Sequence, residues 1–314
     1  MPFTLYAAGS NSNESTELKR RIGYHQLLSQ YTEKKNILKW VDYLKENPDC
    51  KCKLFVDSGA FTAHTKGIDI DVDSYIEFIN SIDEYVEIFA QVDKIAGIRG
   101  QEVSIEEQLE APKLSWENYL YMKDKVKSRD KLLPVFHQEE DFKWLKNILE
   151  YRHEDGTPIK YIGISPLKSL PSQTWKPWLD KVFNYIKNSS NPDVKTHAFG
   201  ISTLDILESF PFTSSDSTTW LKTAAYGKIQ IGRKTFATSN RKRWDPDHLL
   251  NQPPAIIDSV KNICKLVDIN FEDLFVEDES KAGIYRQLFN LGYYKYWADN
   301  YEYKGNKIFK NELF

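Results

Sequence analysis

Short apolar runs recur along the chain, and stretches of helical periodicity fill the gaps between them. The runs occupy residues 5–8, 53–56, 87–92, 132–136, 161–165, 195–199, 212–215 and 228–231. Most are continuous rather than alternating, as expected of parallel strands buried on both faces. Between them, apolar positions return at helical spacing over 75–82 and 116–126. The same spacing joins Phe142, Leu145, Ile148 and Leu149, and again Trp175, Trp178, Val182 and Ile186. Strand followed by helix, eight times over, predicts an α/β fold of the (β/α)8 TIM barrel type. A doubly wound sheet is the alternative, but the first run is followed by Gly9-Ser10-Asn11-Ser12, not by a G-x-G-x-x-G dinucleotide fingerprint.

Past residue 232 the pattern changes. Arg233 to Trp244 reads as a polar, basic loop. Pro253 and Pro254 then precede a helix over 255–266, and a last helix over 281–300 carries Tyr285, Phe289, Tyr293, Tyr296 and Trp297. The expected division is a barrel over 1–232 and a portion 233–314 whose loop and helices pack on it.

Composition narrows the class. The 314 residues include 42 basic and 45 acidic side chains, a formal net charge of -3, which argues against a polycationic binder. A hydrophobic fraction of 41% is enough for a sizeable core and too much for a disordered chain. The longest apolar runs fall far short of the ~18 residues a membrane span needs. No basic stretch precedes an apolar core at the start, so no signal peptide is expected. Cys50, Cys52 and Cys264 are too few for a disulfide scaffold or a self-contained four-cysteine zinc site. These features predict a reducing, cytoplasmic setting and no membrane.

In a TIM barrel the chemistry sits at the C-terminal ends of the strands. The second run ends in Asp57-Ser58-Gly59-Ala60-Phe61, the third in Asp93 and the fourth in His137-Gln138. The fifth passes through Gly163 and Ile164, the sixth ends in Phe199-Gly200, and the seventh in Asp216-Ser217. Each has a plain structural reading. Asp57 suits an Asx turn, Asp93 and Asp216 suit helix caps, His137 suits a satisfied histidine, and Phe61 and Phe199 suit the core. Their joint placement favours a site, because three carboxylates gathered at one mouth raise one another's pKa and are costly unless used.

The same residues carry a resemblance. Asp57-Ser58-Gly59-Ala60-Phe61 looks like the Asp-Ser-Gly-Gly-Phe motif of tRNA-guanine transglycosylases. His197-Ala198-Phe199-Gly200 resembles that family's strand-six segment, Asp216 falls near its nucleophilic aspartate, and Asp93 near its second base-reading aspartate. Tyr161 to Ser165 resembles the glycine-containing strand whose backbone reads the base. The similarity spans roughly residues 3–233. Pro134-Val-Phe-His137 and Ser215-Asp-Ser-Thr-Thr-Trp220 look closer to the short, phage-type paralogues associated with placing 7-deazaguanines in DNA. There are departures. The tRNA enzymes hold a three-cysteine, one-histidine zinc site after the eighth strand, whereas here that region holds only Cys264, so no structural zinc is expected. The segment after Asp216 also differs from the family's, so nucleic-acid recognition must differ there.

The resemblance implies base exchange at a glycosidic bond, replacing guanine in DNA with a 7-deazaguanine (preQ0-type) base. Asp216 would be the nucleophile and Asp57 the general acid/base. Asp93 would accept from the N1–H and N2–H₂ edge. Ser58, with His137 or Gln138, would meet the O6 side beside the backbone at Gly163 and Ile164. Phe61 and Phe199 would sandwich the ring next to Gly200. The alternatives are the same exchange on tRNA guanine, or a catalytically silent nucleic-acid-binding subunit. Five basic residues within eleven (Arg233, Lys234, Arg241, Lys242 and Arg243) stand out in a chain of net charge -3 and are expected to hold phosphate, the plain reading being a solvated loop. The resemblance implies DNA or tRNA and a free 7-deazaguanine as partners, no cofactor, and the host cytoplasm as the setting if the chain is phage-encoded. A second copy of the chain, in a homodimer, is a further candidate partner.

Overall fold

A computed structural model describes residues 3–9, 12–96, 104–167, 170–301 and 303 of the chain. The strands are β1 (Thr4–Ala8), β2 (His25–Ser29), β3 (Leu54–Asp57), β4 (Ile88–Ala90), β5 (Leu132–Leu133), β6 (Val135–His137), β7 (Tyr161–Ser165), β8 (Lys195–Ala198), β9 (Ser214–Ser217), β10 (Lys228–Ile231) and β11 (Lys234–Ala237). The helices are α1 (Asn13–Arg21), α2 (Gln30–Glu46), α3 (Ala60–His64), α4 (Val72–Ile82), α5 (Ile105–Lys123), α6 (Phe142–Glu150), α7 (Trp175–Lys187), α8 (Leu204–Ser209), α9 (Thr219–Ala225), α10 (Pro254–Leu266) and α11 (Glu279–Asn300).

The first nine strands form one parallel sheet in the order β5-β4-β3-β2-β1-β9-β8-β7-β6. Its two ends are consecutive pieces of one stretch of chain, parted by Pro134. Pro134 has no N–H to extend a ladder, yet its carbonyl accepts from the Gly163 N–H at 2.7 Å, and the Leu133 carbonyl accepts from Gln91 at 3.0 Å. The sheet thus closes on itself through this stretch. Counted as staves, β5 and β6 are one, and the barrel has the eight of a (β/α)8 fold.

Alternation along each stave separates two cores. Tyr6, Ala8, Leu27, Phe55, Ile88, Ala90, Leu133 and Val135 fill the barrel interior, with Tyr161 and Phe199 packed on them. The residues between them, such as Leu5, Ala7, Leu28, Leu54, Val56, Phe89 and Phe136, face the helical layer. Register puts His197 beside both Gly163 and Ser214, and Asp216 beside Tyr6. His197, Ser214 and Asp216 therefore share the inward face.

Two strand assignments from the sequence need correction. The stave between β1 and β3 is His25–Ser29, whose His-Gln-Leu-Leu-Ser pattern has only two apolar residues and opens directly into α2. The run at 228–231 lies outside the barrel. It pairs antiparallel with β11 across Gly232-Arg233, where Gly232 takes φ 56°, and packs on α9 and α11. Its Lys-Ile-Gln-Ile alternation is the half-buried pattern of such a hairpin. The boundary drawn at 232 thus cuts through this hairpin, and residues 304–314 of the C-terminal portion lie outside the described residues.

Side chains of α11 hold the β10–β11 hairpin, and Tyr301 ties the chain to α8 of the barrel. Asn290 accepts from the Gln230 N–H at 2.8 Å and the Tyr293 hydroxyl accepts from Gly232 at 2.7 Å. The Tyr301 hydroxyl, just beyond α11, donates to the Leu207 carbonyl at 2.8 Å. Among the described residues no helix is long and apolar enough to cross a membrane.

Candidate active site

Asp216 lies within β9, and its carboxylate points into the barrel. Oδ1 accepts from the Gly200 N–H at 2.7 Å and lies 3.3 Å from His197 Nε2. Gly200 offers that N–H from the left-handed region, at φ 62°, which glycine enters without a Cβ penalty. The helix-cap reading of Asp216 does not hold. Thr218 occupies the N-cap position of α9, and the Thr219 N–H is met by the Ser217 hydroxyl at 2.8 Å.

His197 is fully buried beneath Asp216. Its Nδ1 lies 2.6 Å from the Ser214 hydroxyl, which is 2.5 Å from the Tyr161 hydroxyl. Burial lowers the imidazole pKa, and the neighbouring Asp216 only partly opposes it. The resemblance drew attention to this segment for Phe199 and Gly200. His197 itself, Ser214 and Tyr161 were not expected at the site, because their meeting depends on the β7-β8-β9 register.

Asp93 and His137 form a second cluster. His137 Nε2 is 2.9 Å from Asp93 Oδ2, and Nδ1 is 3.0 Å from Glu140 Oε1. The His137 N–H also donates to Glu140 Oε2 at 3.1 Å. Burial alone would depress this imidazole, but Glu140 and Asp93 outweigh it and lift the pKa to about 10. His137 is thus an imidazolium clamped between two carboxylates. Glu140 was not anticipated; the intervening Glu139 adopts φ 75°, a conformation unusual for a residue other than glycine.

Asp57 ends β3 with its side chain on the inward face shared by Phe55. Its Oδ2 accepts from the Gly59 N–H at 3.1 Å, so an Asx turn is present. The buried Ser58 hydroxyl likewise accepts from the Ala60 N–H at 3.3 Å. Gly59 is required: at φ 84°, a Cβ would come within 2.4 Å of Ser29 Oγ and 2.6 Å of Tyr31 Cβ. The Tyr75 hydroxyl donates to the carbonyls of Val56 and Ala90 at 3.3 and 3.0 Å, tying together the strands that lead to Asp57 and Asp93.

Several expected base contacts are already engaged within the protein. The Gly163 N–H bonds Pro134, and the Ile164 carbonyl accepts from Phe199. Gly163 instead makes room for a ring, since a Cβ there would lie 2.4 Å from Phe199 Cε2. Gln138 donates to Thr174 Oγ1 at 3.2 Å and accepts from the Leu167 N–H at 3.3 Å, both within the protein. Phe199 packs edge-on against His197 at 4.6 Å and Phe55 at 5.8 Å, inside the barrel. Phe61, on α3, is 53% exposed. Phe61 thus faces solvent, while Phe199 packs on the barrel interior.

The basic segment also differs from expectation. Because 228–231 is not a barrel strand, the segment does not directly follow one. Arg233 occupies the hairpin turn and pairs with Asp205 at 3.2 Å and Glu208 at 2.6 Å. Lys242 donates to the Tyr226 carbonyl at 3.4 Å, at the end of α9 away from Asp216. Lys234, Arg241 and Arg243 are exposed, and Trp244 is 81% exposed.

In comparison with known proteins, the chain matches no family model and no curated protein.

Proposed function

We propose that this protein exchanges guanine in DNA for a free 7-deazaguanine base through a covalent glycosyl intermediate on Asp216. The observation that carries the reading is the Asp216 carboxylate. It is nearly buried at the C-terminal end of a barrel strand, with Oδ1 held by Gly200 and His197. Such a group is oriented to attack from one oxygen and is shielded from water, as a covalent catalyst requires.

In the first half, an Asp216 lone pair forms a bond to C1′ as the C1′–N9 bond breaks. The bonding electrons leave with guanine, and Asp57 supplies a proton to the departing base. In the second half Asp57 removes the N9 proton of the incoming deazapurine. Its N9 lone pair then displaces Asp216, and the carboxylate returns. The reaction is isoenergetic in type, one glycosidic bond for another, and consumes no nucleotide.

Asp93 would accept from the guanine-like edge. His137 holds Oδ2, so Oδ1 is the oxygen to meet N1–H and N2–H₂. Phe61, exposed on the helix after Asp57, would stack on the flipped base or its neighbour. Lys234, Arg241 and Arg243 would meet phosphates of the polymer, those at Arg241 and Arg243 lying away from the mouth, because these two flank Lys242 at the far end of α9.

The test is to incubate the protein with labelled guanine and, separately, duplex DNA, single-stranded DNA and tRNA. Label entering DNA is expected. Label entering tRNA alone would move the activity to the tRNA substrate, and label entering none would overturn the reading.

A further inference from the structure

We infer that His197 is a positioning residue for Asp216, locked in one tautomer by a hydroxyl chain inside the barrel, and that it makes Oδ2 the attacking oxygen. The inference deepens the base-exchange reading and rests on it for its chemical consequence.

The ring of His197 is enclosed by Tyr6, Phe55 and Phe199, with centroids at 6.0, 4.7 and 4.6 Å. Its polar contacts are the Ser214 hydroxyl at Nδ1 and Asp216 Oδ1 at Nε2. Burial keeps the ring neutral, and a neutral imidazole has one N–H. A nucleophilic carboxylate can only accept. A proton on Nδ1 would set the Nε2 lone pair against those of Asp216. A proton on Nε2 satisfies every partner. The Tyr161 hydroxyl then donates to Ser214, Ser214 donates to Nδ1, and Nε2–H donates to Asp216. Burial also raises the Tyr161 pKa, so the phenol keeps its proton at the head of the chain. Tyr161 is the first residue of β7 and Asp216 lies at the other end of the barrel, so the donors run from floor to mouth in one direction.

Oδ1 therefore receives two N–H groups, from Gly200 and His197. Oδ2 is the oxygen that bonds C1′, and Oδ1 becomes the ester carbonyl oxygen. When the incoming base displaces Asp216, negative charge returns to a carboxylate already held by two donors. His197 thus assists breakdown of the intermediate more than its formation.

The experiment compares His197→Phe, which keeps a ring and loses the donor, with His197→Gln, whose amide can donate, and with Ser214→Ala, which releases Nδ1. Thermal melting checks folding. For His197→Phe, base exchange should fall at least about tenfold, while the fraction of protein trapped as covalent adduct rises. Gln should restore part of the exchange, and Ser214→Ala should lose part of it. Nitrogen NMR of the wild-type imidazole should place the proton on Nε2. A proton on Nδ1 would overturn the inference, as would folded His197→Phe exchanging bases at the wild-type rate. If the wild type exchanges no base into any polymer, the base-exchange reading fails. The NMR measurement then decides the tautomer lock on its own.

Discussion

Nε2 of His137 lies 2.9 Å from Oδ2 of Asp93, an ion pair that joins the ends of two adjacent staves at the barrel mouth. Glu140 holds the other side of the ring. Removing the cation leaves two poorly solvated carboxylates facing each other. His137→Gln should therefore cost on the order of 3 kcal/mol of stability, read from the denaturant midpoint. It should also raise KM for the free base, because Asp93 loses its anchor. A variant as stable as wild type would show that the cluster is looser than this geometry.

The titration of His137 has a definite sign. Its pKa rises on folding from 6.5 to about 10, so the stabilisation is fully present below the unfolded value and is lost as pH rises toward the folded one. Lys19 does the reverse. Burial, between Gln26, the Gly9 carbonyl and the Trp220 ring, lowers its pKa from 10.5 to about 7. The unfolded chain then binds more protons at Lys19 above that value, and stability rises with pH. The two effects oppose each other between about pH 7 and about pH 10. Melting temperature should change little there in the wild type, fall with pH in Lys19→Met, and rise with pH in His137→Gln. Parallel curves for all three would contradict the assignment.

Gly163 tests how the barrel interior shapes the mouth. A methyl group there meets Phe199 Cε2 at 2.4 Å and Leu133 Cδ2 at 2.7 Å. Gly163→Ala should destabilise by about 1–3 kcal/mol and displace Phe199 from its edge contact with His197. Adding Phe199→Leu should recover part of that stability. Loss of stability without any recovery in the double variant would place the strain elsewhere.

Much of this arrangement is legible in the chain itself. Continuous apolar runs mark most staves, and the polar residues that close those runs are Asp57, Asp93, His137 and Asp216, all at strand ends. The stave at His25–Ser29 was hidden because its outward Gln26 bonds carbonyls of Ala7 and Gly9 and the buried amine of Lys19. That site is polar although buried, so no hydrophobic pattern reports it. The run at 228–231 misled for the opposite reason, since a hairpin lying on helices carries the same short alternation as a stave. Glu140 reaches back to His137 through the left-handed turn at Glu139, and His197 meets Asp216 through strand register. Neither backbone reversal nor register is written in residue spacing.

The basic segment makes a separate prediction. Arg233 is held by Asp205 and Glu208, so Arg233→Ala should lower stability and leave the salt dependence of polymer binding unchanged. Arg241→Ala with Arg243→Ala should weaken binding and make log K against log[salt] shallower by roughly one to two units. An unchanged slope in the double variant would remove the segment from the nucleic-acid interface.

The most direct measurement is covalent trapping at Asp216. The folded protein is incubated with a guanine-containing DNA oligonucleotide without free base, denatured, digested and examined by mass spectrometry. The account predicts a deoxyribosyl adduct on the peptide bearing Asp216, absent in Asp216→Asn, with base exchange abolished in that variant. An adduct on another residue, or base exchange persisting in Asp216→Asn, would contradict it.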